Sequence, residues 1–529
     1  MRLRFAILAA TAMLTGGMAQ AYDVNEKSIS ELRSDLDAGR VTSVELVRLY
    51  EARIATLNPQ IHAVIAVNPR ALDEARAADV ARAAKHPQGA LAGVPVLIKD
   101  NIETADPVAT TAGSLALASN ITGRDAPLVA RLRAAGAIVL GKTNLSEWAN
   151  IRSSHSISGW SALGGQARNP YALDRNTCGS SAGSGAAGAA SLAAATVGTE
   201  TDGSVTCPAA MNGLVGFKPT VGLISRTHVV PISHSQDTAG PMARSVTDAA
   251  IVLGAMAGSD PADPATALAD SMGTDFTTGL KPGALNGVRI GVMRFAAGFH
   301  AETEVVFEQA LGALRSAGAT LVDIAGFPGG QDLGANEHIV LMTELKADLN
   351  TYLASTAATQ VPSRTLADLI AFDKDHAAQE MPLFAQELFI EAQMTAGLTD
   401  PKYVKAAATA KGDAGPRGID KLLADNHVSV LVAPTLGPAW LIDPVLKDNV
   451  ASGGAGQPAA IAGYPHLTVP MGQVDGLPVG LSFIGTAWSD ARLLAYGYAF
   501  EQATHARHAP QYLPTATVET MAMAKAKPE

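Results

Sequence analysis

The chain of 529 residues is 47 % hydrophobic and 17 % charged, and its 49 acids outnumber its 39 lysines and arginines to give a formal charge of −10. Such a chain can bury a large core, and length alone would allow about three domains unless one broad sheet carries that core. The negative balance excludes the basic face that nucleic-acid binding needs; otherwise it is an ordinary soluble surface and says nothing about substrate.

The first 21 residues read as an export signal. Arg2 and Arg4 make a basic start, Phe5 to Met18 an apolar stretch, and Ala19-Gln20-Ala21 a small-residue cleavage site, with the cut after Ala21. The apolar stretch is shorter than the roughly 20 residues that cross a bilayer. A buried N-terminal helix is the plainer alternative. The export reading places the mature protein in a periplasm or outside the cell, free of the membrane once cleaved.

Helical spacing of apolar residues runs from Ile29 to Leu57, with Thr42 or Ser43 as a cap, and again over 71–84. Residues 94–98 predict a buried strand that ends at Lys99 and Asp100. A helix follows over 126–136, then a strand over 137–140 closed by Gly141. The stretch 179–195 consists mainly of Gly, Ala and Ser, which suits flexible low complexity or, preferably, a tightly packed buried helix. A loop rich in Gly, Asp and Pro (258–287) leads to a strand at 288–293, a helix at 302–317 and a strand at 321–324. Residues 326–422 show helical patterns without recognisable chemistry. Strands at 428–433, 467–470 and 479–483 and a helix at 491–503 close the fold, and the last residues should fray. Alternating strands and helices imply crossovers. The expected fold class is therefore α/β, with one large mixed, largely parallel twisted sheet and helices on both faces. No repeat or linker divides it.

The chemistry concentrates in three places. Ser180 and Ser204 stand 24 positions apart in CGSSAGSG (178–185) and GTETDGSVTCP (198–208), and Lys99 lies in GVPVLIKDN (93–101). A serine hydroxyl is a weak nucleophile until a base takes its proton. A lysine can do so when neutral, which burial in an apolar strand favours. Rival patterns fit less well. Ser181 sits in a formal G-x-S-x-G, but the strand that motif requires is replaced by the polar run 173–177. The G-x-G-x-x-G at 183–188 lacks a preceding strand too. There is no S-x-x-K, no H-E-x-x-H and no cysteine–histidine cluster, so no metal is indicated. His228 and His234 are the histidines nearest the serine segments and suit a loop or pocket wall.

These segments resemble the amidase signature family. Its triad is the serine of G-G-S-S-G-G, the serine of T-D-x-G-G-S and the lysine of P-x-x-x-K-D, which fall here on Ser180, Ser204 and Lys99. GKTNLSEW (141–148), GLVGFKPTVGLIS (213–225), DTAGPMARSVTDAA (237–250), IAGYPHLTVPMG (461–472) and LPVGLSFIG (477–485) extend the likeness from about Ile29 to Thr504. The resemblance implies one amidase-signature domain over 22–515. Its core would span about 65–250 and 428–505, with a variable helical region at 326–422 and a disordered tail at 516–529. It implies hydrolysis of linear carboxamides through an acyl-enzyme on Ser204, without a cofactor. Ser180 would follow a cis peptide bond and relay protons to Lys99, and the backbone amides of Thr201, Asp202, Gly203 and Ser204 would form the oxyanion hole. The role of Asp100 stays open, with a place outside the catalytic hydrogen bonds as one reading.

Two departures stand out. Glu200 replaces the family's acid and Asp202 a glycine; backbone donors survive both, and Asp202 either disfavours anionic substrates or steadies the turn. The variant T-E-T-D-G-S-x-T-C-P, with Cys178 before Gly179, looks most like bacterial peptide amidases, which remove the C-terminal amide of peptides. A broad aryl or aliphatic amidase and an inactive exported binding protein are the alternatives. The glutaminase subunit that makes amide-charged transfer RNA shares the signature, but the export signal and acidity speak against it. Expected partners are a small-molecule or peptide amide and no nucleic acid, with 150–170, 226–236 and 326–400 supplying the substrate pocket. Cys178 and Cys207, the only cysteines, are either bridged or two buried thiols.

Overall fold

A computed structural model describes residues 22–86, 89–450 and 453–517; the expected export signal and nearly all of the expected tail lie outside the described residues. Short apolar runs form thirteen strands: β1 (Val64–Val67), β2 (Pro95–Lys99), β3 (Ile138–Thr143), β4 (Trp160–Ser161), β5 (Gly165–Gln166), β6 (Ala195–Glu200), β7 (Val215–Lys218), β8 (Thr238–Ala243), β9 (Arg289–Met293), β10 (Thr320–Ile324), β11 (Val430–Pro434), β12 (His466–Val474) and β13 (Leu477–Ile484). β4 and β5 pair with each other, and the other eleven form one sheet in the order β1-β3-β2-β6-β8-β7-β12-β13-β11-β9-β10.

The sheet is mixed, as expected, but parallel pairing is confined to β3-β2-β6 near one end and β11-β9-β10 at the other. The remaining six pairings are antiparallel. Strand–helix alternation reports only on crossovers, so it cannot reveal the antiparallel middle. The clearest hairpin there, β12–β13, turns on Asp475-Gly476, both at positive φ, the pair that a two-residue type I′ turn demands.

Helices cover both faces, and the period of two shows how. On β12, Leu467 and Val469 meet helix Asp490–Thr504 at Gly497, whereas Thr468 faces the opposite way with Gly216 and Gly480. A β-carbon on Gly216 or Gly480 would run into Ala209 or Ala210, so these glycines let helix Thr206–Met211 lie close against the sheet.

Several boundaries differ from expectation for local reasons. The span from Ile29 is two helices, Ile29–Asp37 and Ser43–Ile61, each opened by a capping box, Ser28 with Glu31 and Thr42 with Glu45. The small-residue stretch is helical only over Ala182–Ala189 before the chain turns into β6, and all of it after Gly179 is buried. β3 runs through Gly141 to Thr143, because Gly141 lies against the β1 backbone where a side chain has no room.

The region 326–422 is helical, as its pattern suggests. Helices Leu333–Ser355, Leu366–Asp375 and Glu387–Gln393 share an apolar cluster with Leu117, Trp148 and Val230, which seats them over one edge of the sheet. Beside that cluster, Arg152, Glu147, Glu380 and Asp373 are buried together, with Arg152 Nη1 2.9 Å from Glu147. Neither carboxylate oxygen of Asp373 has a protein hydrogen-bond partner. Burial, reinforced by Glu380, pushes the Asp373 carboxyl from 3.8 up to about 7. The folded protein thus keeps this proton where the unfolded chain has lost it. The associated stability is complete below the unfolded value of 3.8 and disappears as pH rises through about 7. The Tm of Asp373→Asn relative to wild type should therefore climb between pH 5 and pH 8, by about 2 °C or more. A pH-independent difference would count against this account of Asp373.

Candidate active site

Strand register gathers the chemistry. β2, β6 and β7 end, and β8 and β12 begin, along one edge of the sheet, which brings Lys99, Glu200, Lys218 and His466 to the same rim. Lys99, the last residue of β2, is fully buried. Its Nζ lies 2.7 Å from Ser180 Oγ, 2.8 Å from Thr199 Oγ1 and 3.3 Å from Thr199 O. Burial lowers its pKa from 10.5 to about 7, against the opposing pull of Asp237 and Glu200. A carbonyl oxygen only accepts. An uncharged Lys99 can donate its two N–H groups to the Thr199 oxygens and leave its lone pair for the Ser180 hydroxyl, while a charged one donates to all three. Both protonation states are satisfied without moving a heavy atom.

The Gly179–Ser180 peptide bond is cis. Ser181, the residue of the G-x-S-x-G match, is a strut. Its hydroxyl donates to Thr199 O (3.1 Å) and accepts from Thr199 N (3.2 Å), while its own amide donates to Ser204 O (3.1 Å). That last bond docks the second serine segment on the first. Cys178 and Cys207 form a disulfide with a Cα–Cα distance of 6.0 Å, fastening the same two segments at their other ends. Of the two states the sequence allowed, the bridged one is found.

Ser204 sits half-buried just ahead of helix Thr206–Met211. Glu200 Oε2 accepts from the amides of Val205 (2.8 Å) and Thr206 (2.9 Å) and from Thr206 Oγ1 (3.2 Å). The buried carboxylate therefore anchors the chain directly after Ser204 by filling the first donors of the helix. Gly203 has φ +79°, which a glycine tolerates. Asp202 is exposed at the loop tip. Among the described residues, no protein acceptor takes the amides of Thr201, Asp202, Gly203 or Ser204.

Asp100 belongs to a different network. Its carboxylate accepts from the Thr111 hydroxyl and lies 3.7 Å from Lys142 Nζ, and burial pushes it up to about 6. It makes no contact with the amine of Lys99.

A cavity of about 410 Å3 opens beside the site, lined near it by Asn101, Thr199 and Thr201 and farther out by 226–234, 237–239 and Asp348, Tyr352 and Ser355. His228 and His234 stand on its wall, as the sequence suggested. Segments 226–236 and 326–400 contribute to it, but 150–170 does not. That segment instead stands against Gly179, the residue before Ser180, through Ser158, which also bonds to Asp448, while Trp160 packs edge-on against Phe384. His234 Nδ1 lies 2.9 Å from Asp348, whose hydrogen bond raises the imidazole pKa, and Nε2 lies 3.4 Å from Glu344. His234, Glu344 and Asp348 are compact enough to invite comparison with a metal site. Glu344, however, already accepts from Ser233, Ser235 and Tyr403, so its oxygens are engaged by protein donors.

Sequence reasoning missed Thr199, Asn101, Gln236 and Asp237. Thr199 stands inside the serine segment, and Asp237 opens the family-like block 237–250, so position was the available signal; their bonds to Lys99 and Thr201 join segments far apart in the chain.

An amidase family model matches residues 45–494. Among solved structures, native peptide amidase from Stenotrophomonas maltophilia is 51 % identical, covering 92 % of this chain and 99 % of its own, with a TM-score of 0.87. Peptide amidase PAM bound to the competitive inhibitor chymostatin gives the same identity and coverage with a TM-score of 0.88. A probable amidase of Arabidopsis thaliana is 39 % identical over 508 residues, 94 % of this chain and 93 % of the relative.

If Ser181 is a strut, Ser181→Ala should lose about 1–2 kcal/mol of stability, as a buried hydroxyl with two bonds would. It should still be labelled by a fluorophosphonate. Loss of labelling with an unchanged Tm would make Ser181 the reacting group. Thiol titration of the denatured, unreduced protein should find no free thiol.

Proposed function

The chain belongs to the amidase signature family, a group of hydrolases acting on amide C–N bonds, and from that premise we propose that it is an exported serine amidase that removes the C-terminal amide of peptides. The observation that carries the catalytic reading is the 2.7 Å contact between a buried, easily neutralised Lys99 and Ser180, beside the segment that holds Ser204. Peptide amides are favoured by the likeness to peptide amidase, which in that protein binds chymostatin as a competitive inhibitor. Export is supported by the basic–apolar–small pattern of residues 1–21 and by a disulfide, which suits an oxidising compartment.

In this mechanism Ser204 Oγ attacks the amide carbon. Its proton passes to Ser180 Oγ as the Ser180 proton moves to the lone pair of Lys99 Nζ. The carbonyl π electrons move onto oxygen, and the amides of Thr201, Asp202, Gly203 and Ser204 receive the oxyanion. Collapse breaks the C–N bond while Lys99, through Ser180, returns a proton to the departing nitrogen, which leaves as ammonia. Water then attacks the acyl-serine by the same relay. The C–O bond to Ser204 breaks and a free carboxylic acid is released.

Ser204→Ala should abolish both turnover and fluorophosphonate labelling, and full activity in that variant would sink the mechanism. Lys99→Met should slow acylation by about a thousandfold or more. Because the base is the uncharged amine, kcat/KM should rise with pH through about 7 and then level off. A turnover screen tests the substrate: ammonia from a peptide amide, with little from an anilide or a small aliphatic amide, is expected, and the reverse order would point to an aryl or aliphatic amidase. The exported protein should begin at Tyr22; retention of residues 1–21 would remove the export proposal.

A further inference from the structure

Thr201, the first residue of the loop that ends in Ser204, is gripped by two consecutive side chains. Its hydroxyl donates to Asp237 Oδ1 at 2.6 Å, and its carbonyl accepts from Gln236 Nε2 at 3.3 Å. Neither grip is free to swing. Asp237 Oδ2 accepts from the amides of Ile232 (2.8 Å) and Ser233 (2.9 Å), so both carboxylate oxygens are engaged. Gln236 Nε2 gives its second hydrogen to Glu337 Oε1 (2.9 Å), and Glu337 Oε2 accepts from Gln457 (2.8 Å). Glu337 belongs to helix Leu333–Ser355, so the loop is tied through one residue to the helical region that roofs the cavity.

We propose that Gln236 and Asp237 are positioning residues that clamp Thr201, and with it the amides of 201–204, against Ser204. The clamp rests on the reading of Ser204 as nucleophile and adds what holds its oxyanion loop. The loop has few other fastenings. Ser204 O is held by Ser181 N and the residues after it by Glu200, but at the Thr201 end the side-chain bonds come from Gln236 and Asp237. An oxyanion hole works only if its donors are fixed before the charge develops. A lapse of about 1 Å at a remote support can cost about a hundredfold.

Three variants test the clamp, with kcat and KM measured on a peptide amide. Thr201→Val removes the gripped hydroxyl but no charge; kcat should fall about tenfold or more with KM within about twofold, and Thr201→Ser should restore the rate. Asp237→Asn should lower kcat in the same way, and Gln236→Leu, which keeps Asp237, should do so too and serves if Asp237→Asn does not fold. Wild-type kcat in Thr201→Val and Gln236→Leu overturns the proposal. Failure of the underlying reading looks different: Ser204→Ala would then stay active, whereas an inactive Ser204→Ala beside unaffected clamp variants removes the clamp alone.

Discussion

The burial of one amine sets the terms for everything around it. Moving an ammonium group out of water is costly, and for Lys99 the loss outweighs the attraction of two carboxylates, leaving a balance of about 5 kcal/mol against the charged form relative to a lysine in water. That balance places a base of near-neutral pKa at the end of an apolar strand without a histidine. It also imposes a constraint, since a buried amine needs partners in whichever state it occupies. Thr199 meets it with one oxygen that only accepts and one hydroxyl, and Ser180 supplies the third contact, which can run in either direction.

Closeness of this kind demands small residues. Gly183 lies where a side chain would collide with the backbone of Ala63 and Asn144, and Gly198 where one would strike Ser181. The run of Gly, Ala and Ser before β6 is therefore a packing device, which lets two serine segments and two strands converge. Gly216 and Gly480 do the same for helix Thr206–Met211. The disulfide, the Glu200 carboxylate and the Ser181–Ser204 bond then fix separate points of the converged chain. Glu200 also shows why a replacement at a family position can be harmless: its carboxylate still reaches the amides after Ser204.

Local chemistry was legible in the sequence to the extent that it is written in contiguous residues. The cap at Thr42, the strand ending at Lys99 and the serine segments could all be read within a few positions, as could the hydrophobic runs behind most strands, whereas the capping box at Ser28 that opens a separate helix was missed. What joins distant segments could not. The antiparallel pairing of β6 with β8 places Thr238 opposite Glu200, and only then do Gln236 and Asp237 fall beside Thr201. The cavity followed the same division: parts of 226–236 and 326–400 line it, whereas 150–170 reaches the serine segment from elsewhere, with Ser158 against Gly179. Asp100 is another such case: next to Lys99 in sequence but past the end of β2, it accepts from Thr111 and lies beside Lys142.

The same rim carries a second buried lysine. Lys218 also ends a strand there, is fully buried, and is lowered by burial to about 8 against the pull of Glu200 first and Asp490 next. Glu200 thus lies within electrostatic reach of both lysines. The other partners differ. Lys218 Nζ donates to Pro219 O at 3.3 Å, a carbonyl with no proton to give. Its strand neighbour His466 is itself driven down to about 3 by burial, with Lys218 adding to the effect, and is hydrogen-bonded to Ser482. A depressed pKa makes an amine available as a base, but only a hydroxyl at hydrogen-bond distance gives it a proton to move. In the proposed mechanism the Ser180 hydroxyl fills that part for Lys99, whereas the amine of Lys218 meets the carbonyl of Pro219.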